Sequence, residues 1–162
     1  MKPTNVRVSA AAIVLLTLAC VCSSTPTQPQ KIGDATAGSS PIPSNQTYNM
    51  GDIIQAGTTT ITLNSASIQG NTLHANFTVE NKGSSEITVS SLLLFSAKDS
   101  DGTALEIDIF NCESGSLDAT VLASDKLKGN ICWTGVVSNS AKIYYDSSLF
   151  TSGGTIVWEV TK

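Results

Sequence analysis

With 162 residues the chain has room for one ordinary domain, and 41% hydrophobic against only 14% charged residues suits an exported β-domain better than a disordered chain. A formal net charge of −4, which becomes −6 (seven basic against thirteen acidic) once Lys2 and Arg7 are removed, leaves no electrostatic footprint for nucleic acid or anionic headgroups. Residues 1–19 read as a secretory signal: Lys2 and Arg7 are its positive start, and residues 8–19 its apolar run. The run is too short to span a bilayer, and the polar stretch Ser23-Ser24-Thr25-Pro26 ends it.

The end of that run, Leu16-Thr17-Leu18-Ala19-Cys20, resembles the lipobox of prokaryotic lipoproteins, with Thr17 where Leu is usual. The resemblance implies that Cys20 is lipidated and becomes the mature N-terminus. Cys22 reads as incidental. Two or more acyl chains anchor stably where one is marginal. Residues 20–47 are rich in Ser, Thr, Pro and Gln and poor in large apolar side chains, so they are expected to form a solvated tether. At about 5–6 Å × √n, some 25 flexible residues would hold a domain roughly 25–30 Å from its anchor.

From residue 48 to 162 short apolar runs alternate with Gly, Asn, Asp and Ser turns. Residues 59–68 alternate loosely. Leu73, Ala75, Phe77 and Val79 form a strict period-2 inner face, with His74, Asn76, Thr78 and Glu80 opposite. Residues 86–97 are too apolar at Leu92-Leu93-Leu94-Phe95 for one half-exposed strand, which predicts a bulge or strand switch near Ser90-Ser91. Asp99-Ser100-Asp101-Gly102 reads as a hairpin turn, followed by late strands at residues 130–137, 141–145 and 155–161. In the last of these Ile156, Trp158 and Val160 are expected to face inward. About eight strands and no ordinary amphipathic helix predict an all-β, antiparallel β-sandwich, with an open barrel as the structural rival.

Cys112 and Cys132 both fall in this domain, and in an exported chain they are expected to pair. They lack the Cys-x-x-Cys spacing of a redox or metal pair. The closed loop is worth roughly 3 kcal/mol on the chain-entropy model. The lone histidine, His74, removes most Ser/His/Asp, Cys/His and multi-histidine zinc schemes, and its place on the polar face predicts exposure. Asp99, Asp101, Glu106 and Asp108 are the candidate metal residues. Alternation would put Glu106 and Asp108 on one strand face beside a turn rich in carbonyls, a conceivable Ca²⁺ arrangement without the rest of an EF-hand. Asn45-Gln46-Thr47 and Asn76-Phe77-Thr78 match the glycosylation sequon.

Tyr48 with Gly51-Asp52, Phe77-Thr78-Val79-Glu80-Asn81-Lys82-Gly83, and Asp99-Ser100-Asp101-Gly102 are the first residues of a wider likeness. Gly129 with Cys132-Trp133, Ile143-Tyr144-Tyr145-Asp146, and Ile156-Val157-Trp158 complete it. Together these resemble a family of extracellular immunoglobulin-like domains of unknown function, found in prokaryotic lipoproteins and secreted proteins. Some members carry a telomeric-repeat-binding label, which an acidic exported domain gives no physical support. The turn Lys126-Leu127-Lys128-Gly129 departs somewhat from the family pattern. The resemblance implies an immunoglobulin-like sandwich and supplies no catalytic residues.

The expected function is a non-catalytic, cofactor-free envelope lipoprotein. It is held on the extracytoplasmic side of the membrane by its lipid and presents its immunoglobulin-like domain for protein interaction or adhesion, with residues 111–128 as the expected surface for an unknown envelope or extracellular protein. The alternative is a small-ligand or Ca²⁺-binding envelope lipoprotein.

Overall fold

The computed structural model describes residues 29–32, 46–112, 115–147 and 154–162. Its strands are β1 (Gln30–Ile32), β2 (Thr47–Tyr48), β3 (Ile53–Ala56), β4 (Thr59–Gln69), β5 (Thr72–Asn81) and β6 (Ile87–Val89). After the single helical turn α1 (Ser91–Leu94) come β7 (Phe95–Asp99), β8 (Glu106–Ile107), β9 (Ala119–Val121), β10 (Lys126–Thr134), β11 (Ser140–Asp146) and β12 (Thr155–Thr161). A six-stranded sheet in the order β1-β3-β4-β5-β10-β8 packs on a four-stranded sheet β2-β12-β11-β7, and β6 and β9 form a small ribbon of their own. All pairings are antiparallel except that of β2 with β12. The expected immunoglobulin-like β-sandwich is thus present, with more and shorter strands than the sequence suggested.

Alternation sets the inner faces. β5 buries every second residue, Leu73, Ala75, Phe77 and Val79, and β12 buries Ile156, Trp158 and Val160. Phe77 joins the two layers: its ring centroid lies 4.9 Å from that of Phe95 and 5.7 Å from that of Trp158. Tyr145 extends the cluster, 5.0 Å from Phe95. Tilted and edge-on rings at these spacings add to the area they bury. Burial pushes the Tyr145 phenol up to about 12, helped by the charge of Asp146.

The strand switch falls where it was expected. β6 pairs with β9, the chain then makes one turn of helix, and β7 joins β11 in the four-stranded sheet. The apolar run divides across this turn, with Leu94 and Phe95 inside and Leu92 and Leu93 exposed. Asp99-Ser100-Asp101-Gly102 does turn the chain, with Gly102 at φ +92° where a side chain would be strained. It closes a short hairpin: about the antiparallel Lys98–Ala104 pair the Asp99 N–H donates to the Thr103 carbonyl at 2.8 Å and the Leu105 N–H to the Ala97 carbonyl at 2.9 Å, and the chain then crosses to the other sheet at β8.

Three other expectations need correction. The tether expected over 20–47 is interrupted by β1, which pairs with β3 from Gln30↔Gln55 to Ile32↔Ile53. The Lys31 ammonium sits 3.0 Å from the Asp52 carboxylate, which fixes β1 to the turn before β3. β10 begins at Lys126, so the residues read as a turn are strand, and Val137, assigned to the same strand, lies exposed beyond its end. Cys20 and the rest of the N-terminal segment lie outside the described residues.

Asn81, fully buried at the end of β5, has a role that alternation does not explain. Its Nδ2 donates to the carbonyls of Ser85 (2.7 Å), Val121 (3.1 Å) and Leu122 (3.2 Å), while its Oδ1 accepts from the Gly83 N–H (2.9 Å). One amide therefore ties β5 to the turn before β6 and to the end of β9. Asn81→Ala is expected to cost about 2–4 kcal/mol in urea unfolding, because it leaves these carbonyls buried with fewer donors.

Candidate functional site: the disulfide-clasped loop

After β8 the chain leaves the sheet, and residues 108–112 and 115–118 lie beside the edge of β10. Local chemistry shapes its start. The Asp108 carboxylate accepts from the backbone N–H groups of Phe110 and Asn111, both 3.0 Å, and from Asn111 Nδ2 at 2.9 Å. The Asn111 side chain and these N–H groups hold the Asp108 carboxyl below the usual carboxylate range, with His74 adding a small favourable charge. Its own N–H donates to the Cys132 carbonyl at 2.9 Å. The loop therefore opens with a fixed turn rather than the continued strand that alternation predicted for Glu106 and Asp108.

The Cys112–Cys132 disulfide is present, with Cα atoms 5.4 Å apart, and fastens the loop to β10. Four residues from Cys112 no side chain would fit at the facing position of β10: a Cβ on Gly129 would lie 2.7 Å from the Ser116 carbonyl carbon. Glycine lets the two backbones approach, and Asn130 N–H donates to the Gly115 carbonyl at 2.6 Å. Asp118 secures the far end. It accepts from the Ser91 N–H (2.8 Å), the Ser91 hydroxyl (2.7 Å) and the Ser116 hydroxyl (2.6 Å). Burial pushes the Asp118 carboxyl up, and the Ser116 and Ser91 donors outweigh it and leave it below its ordinary value.

Beneath the loop lies an open cavity of about 270 Å³ lined by Ser91, Ile107, Ile109, Cys112, Asp118 and Ile131, among others. Two apolar side chains of the loop are turned largely to solvent: Phe110 is 87% exposed, and Ile109, at the cavity's margin, 66%. They immediately precede the 111–128 segment expected to be the contact surface. That segment is itself partly sheet, since it holds β9 and the start of β10.

The acidic candidates are not gathered into one site. Asp99 is only 2% exposed, and its carboxylate accepts from the N–H groups of Val137 (3.0 Å), Ser138 (3.1 Å) and Ser100 (2.9 Å). Burial raises its carboxyl, but these donors win and hold it below the ordinary carboxylate range. Asp101 accepts from the Thr103 N–H within the turn, Glu106 is exposed on β8, and Asp108 is committed to its own turn. Among the described residues no three His, Cys, Asp or Glu side chains form a set that could hold a metal ion.

His74, expected to be exposed, is half-buried, with Nδ1 3.3 Å from Cys132 Sγ. Asn76 of the second sequon is engaged too. It donates to Asn130 Oδ1 at 2.6 Å and accepts from Asn64 Nδ2 at 2.8 Å. Asn64 reaches it from a bulge in β4 between Leu63 and Ser65. Asn45 lies outside the described residues.

No protein-family model and no curated protein matches the chain. Among solved structures, the yjhA protein of Bacillus subtilis aligns with a TM-score of 0.53 at 17% identity, over 69% of this chain and 96% of its own. The candidate lipoprotein ycdA of Bacillus subtilis aligns with a TM-score of 0.50 at 16% identity, over 64% of this chain. The aligned part is 36% of ycdA, so the shared unit is a fraction of that protein. These likenesses show a common fold.

Because the Asp99 carboxyl is lower in the folded chain than in the unfolded one, its contribution to stability is full above the unfolded value and is lost as pH falls through the folded one. Asp99→Asn is expected to melt earlier than wild type near neutrality. It should also show a shallower fall in melting temperature between about pH 5 and pH 2, as measured by circular dichroism.

Proposed function

We propose that the protein is a non-catalytic envelope lipoprotein whose sandwich captures a partner protein through the clasped loop. The observation that carries this reading is the exposure of Phe110 and Ile109 on a segment immobilised by an Asp108 turn, a disulfide and the Asp118 link to α1. Exposed aromatic side chains on a pre-ordered loop bind at low entropic cost and are common energetic anchors of interfaces. Leu92 and Leu93 on α1, joined to the loop through Ser91 and Asp118, supply further apolar area.

The signal-like residues 1–19 and the lipobox-like sequence ending at Cys20 support an extracytoplasmic, lipid-anchored placement. The designation of ycdA as a candidate lipoprotein agrees with it. The intact mass of protein from the native membrane fraction is expected to correspond to a chain beginning at Cys20 with added acyl mass. An unlipidated chain in the medium would refute the anchor.

Phe110→Ser tests the capture surface. Stability is expected to stay within about 0.5 kcal/mol of wild type, since the ring is in solvent. Cross-linked partner recovered from intact cells should fall about tenfold or more, as for an interface anchor worth about 1.4 kcal/mol or more. Undiminished recovery with the variant folded would remove the loop from the interface.

A further inference from the structure

The outer face of the six-stranded sheet brings the single histidine against the disulfide. His74 on β5 and Cys132 on β10 are register partners, and His74 Nδ1 lies 3.3 Å from Cys132 Sγ. The two sulfurs occupy different surroundings. Cys132 is 1% exposed, whereas Cys112 is half-buried and lines the open cavity beneath the loop. A second, shallow cavity of about 150 Å³ surrounds the histidine, lined by Ser65, Ser67, Gln69 and Asn130 together with Cys132. None of these carries a charge. Asp108 lies near enough for its charge to interact with that of His74, and its backbone N–H donates to the Cys132 carbonyl.

We propose that Cys112–Cys132 is a thiol-exchange site, in which an external thiol attacks Cys112 and His74 delivers a proton to Cys132 as it leaves. The incoming thiolate forms a sulfur–sulfur bond with Cys112 Sγ and the Cys112–Cys132 bond breaks. Its electron pair goes to Cys132 Sγ, which takes the proton from His74 Nδ1. A second external thiolate then attacks the external sulfur of the mixed disulfide and releases Cys112 as a thiolate. Two external thiols, or one dithiol, leave as a disulfide, and the protein's cystine is reduced by two electrons. A better-stabilised leaving sulfur departs faster, and the histidine supplies that stabilisation on one side alone. Opening the bond leaves the loop held by the Gly115 and Asp118 contacts, so exchange is a means of loosening the segment that carries Phe110. The chemistry stands independently of what that segment binds.

Two measurements on the oxidised full-length protein test the site. Glutathione is added, the reaction is quenched with iodoacetamide at early times, and the adducts are mapped by peptide mass. Glutathione on Cys112 with an alkylated Cys132 is expected, and glutathione chiefly on Cys132 overturns the assignment. In the second, the disulfide is reduced with dithiothreitol and the rate constant is expressed per thiolate. The wild-type constant is expected to rise as pH falls from about 8 to about 5.5, and that of His74→Gln to stay flat and lie about fivefold or more lower at about pH 6. Equal constants for a variant shown to be folded by its melting curve refute the role of His74. If that variant does not fold, the adduct position on the unaltered chain still decides.

Discussion

The packing of Phe77 against Phe95 and Trp158 is the contact on which the rest of the sandwich depends. Two sheets stay face to face only if their inner surfaces interdigitate, and here one ring from the six-stranded layer is seated between two rings of the other. That arrangement fixes which side of β5 is internal, and alternation then places His74 and Asn76 on the outer surface. The position of the histidine beside Cys132 is thus a consequence of core packing as well as of local sequence.

Period-2 patterning made the inner faces of β5 and β12 legible, because a single side chain per position decides burial there. The switch after Ser90 was legible for a related reason: four consecutive large apolar residues cannot all point inward from one strand. Asn81, Gly129 and Asp118 were not, because each owes its role to residues distant in sequence, at the end of β9, in the loop around Ser116 and in α1 respectively. β1 escaped detection because three residues in a polar, proline-rich stretch carry no readable period. The candidate site was half legible. The cysteine pair was evident, but the local commitments of the acidic residues were not, since a carboxylate that accepts backbone N–H groups looks in sequence like one free to hold a cation.

Residues 108–112 and 115–118 show how a loop can be fastened without regular secondary structure of its own. Asp108, the disulfide, the Gly129 contact and Asp118 act at successive points, and each uses a different interaction: a carboxylate turn, a covalent bond, close backbone approach and a charge-assisted hydrogen bond. Loss of any one leaves the others in place. Covalent opening at Cys112 would therefore loosen one end of the segment without unfolding the domain around it, which is the condition for a local change to be reversible.

The docking of β1 has a bearing on how the domain should be handled. An exposed strand edge offers unpaired N–H and C=O groups to any other chain, and proteins blunt such edges with short strands and charged side chains. β1 does both for β3: it is three residues long and carries Lys31, held by Asp52. A recombinant domain cut at residue 48, where the β-pattern begins, would shed this cover. It would present the bare edge of β3, with Ile53 exposed upon it, as a template for aggregation between neighbouring molecules.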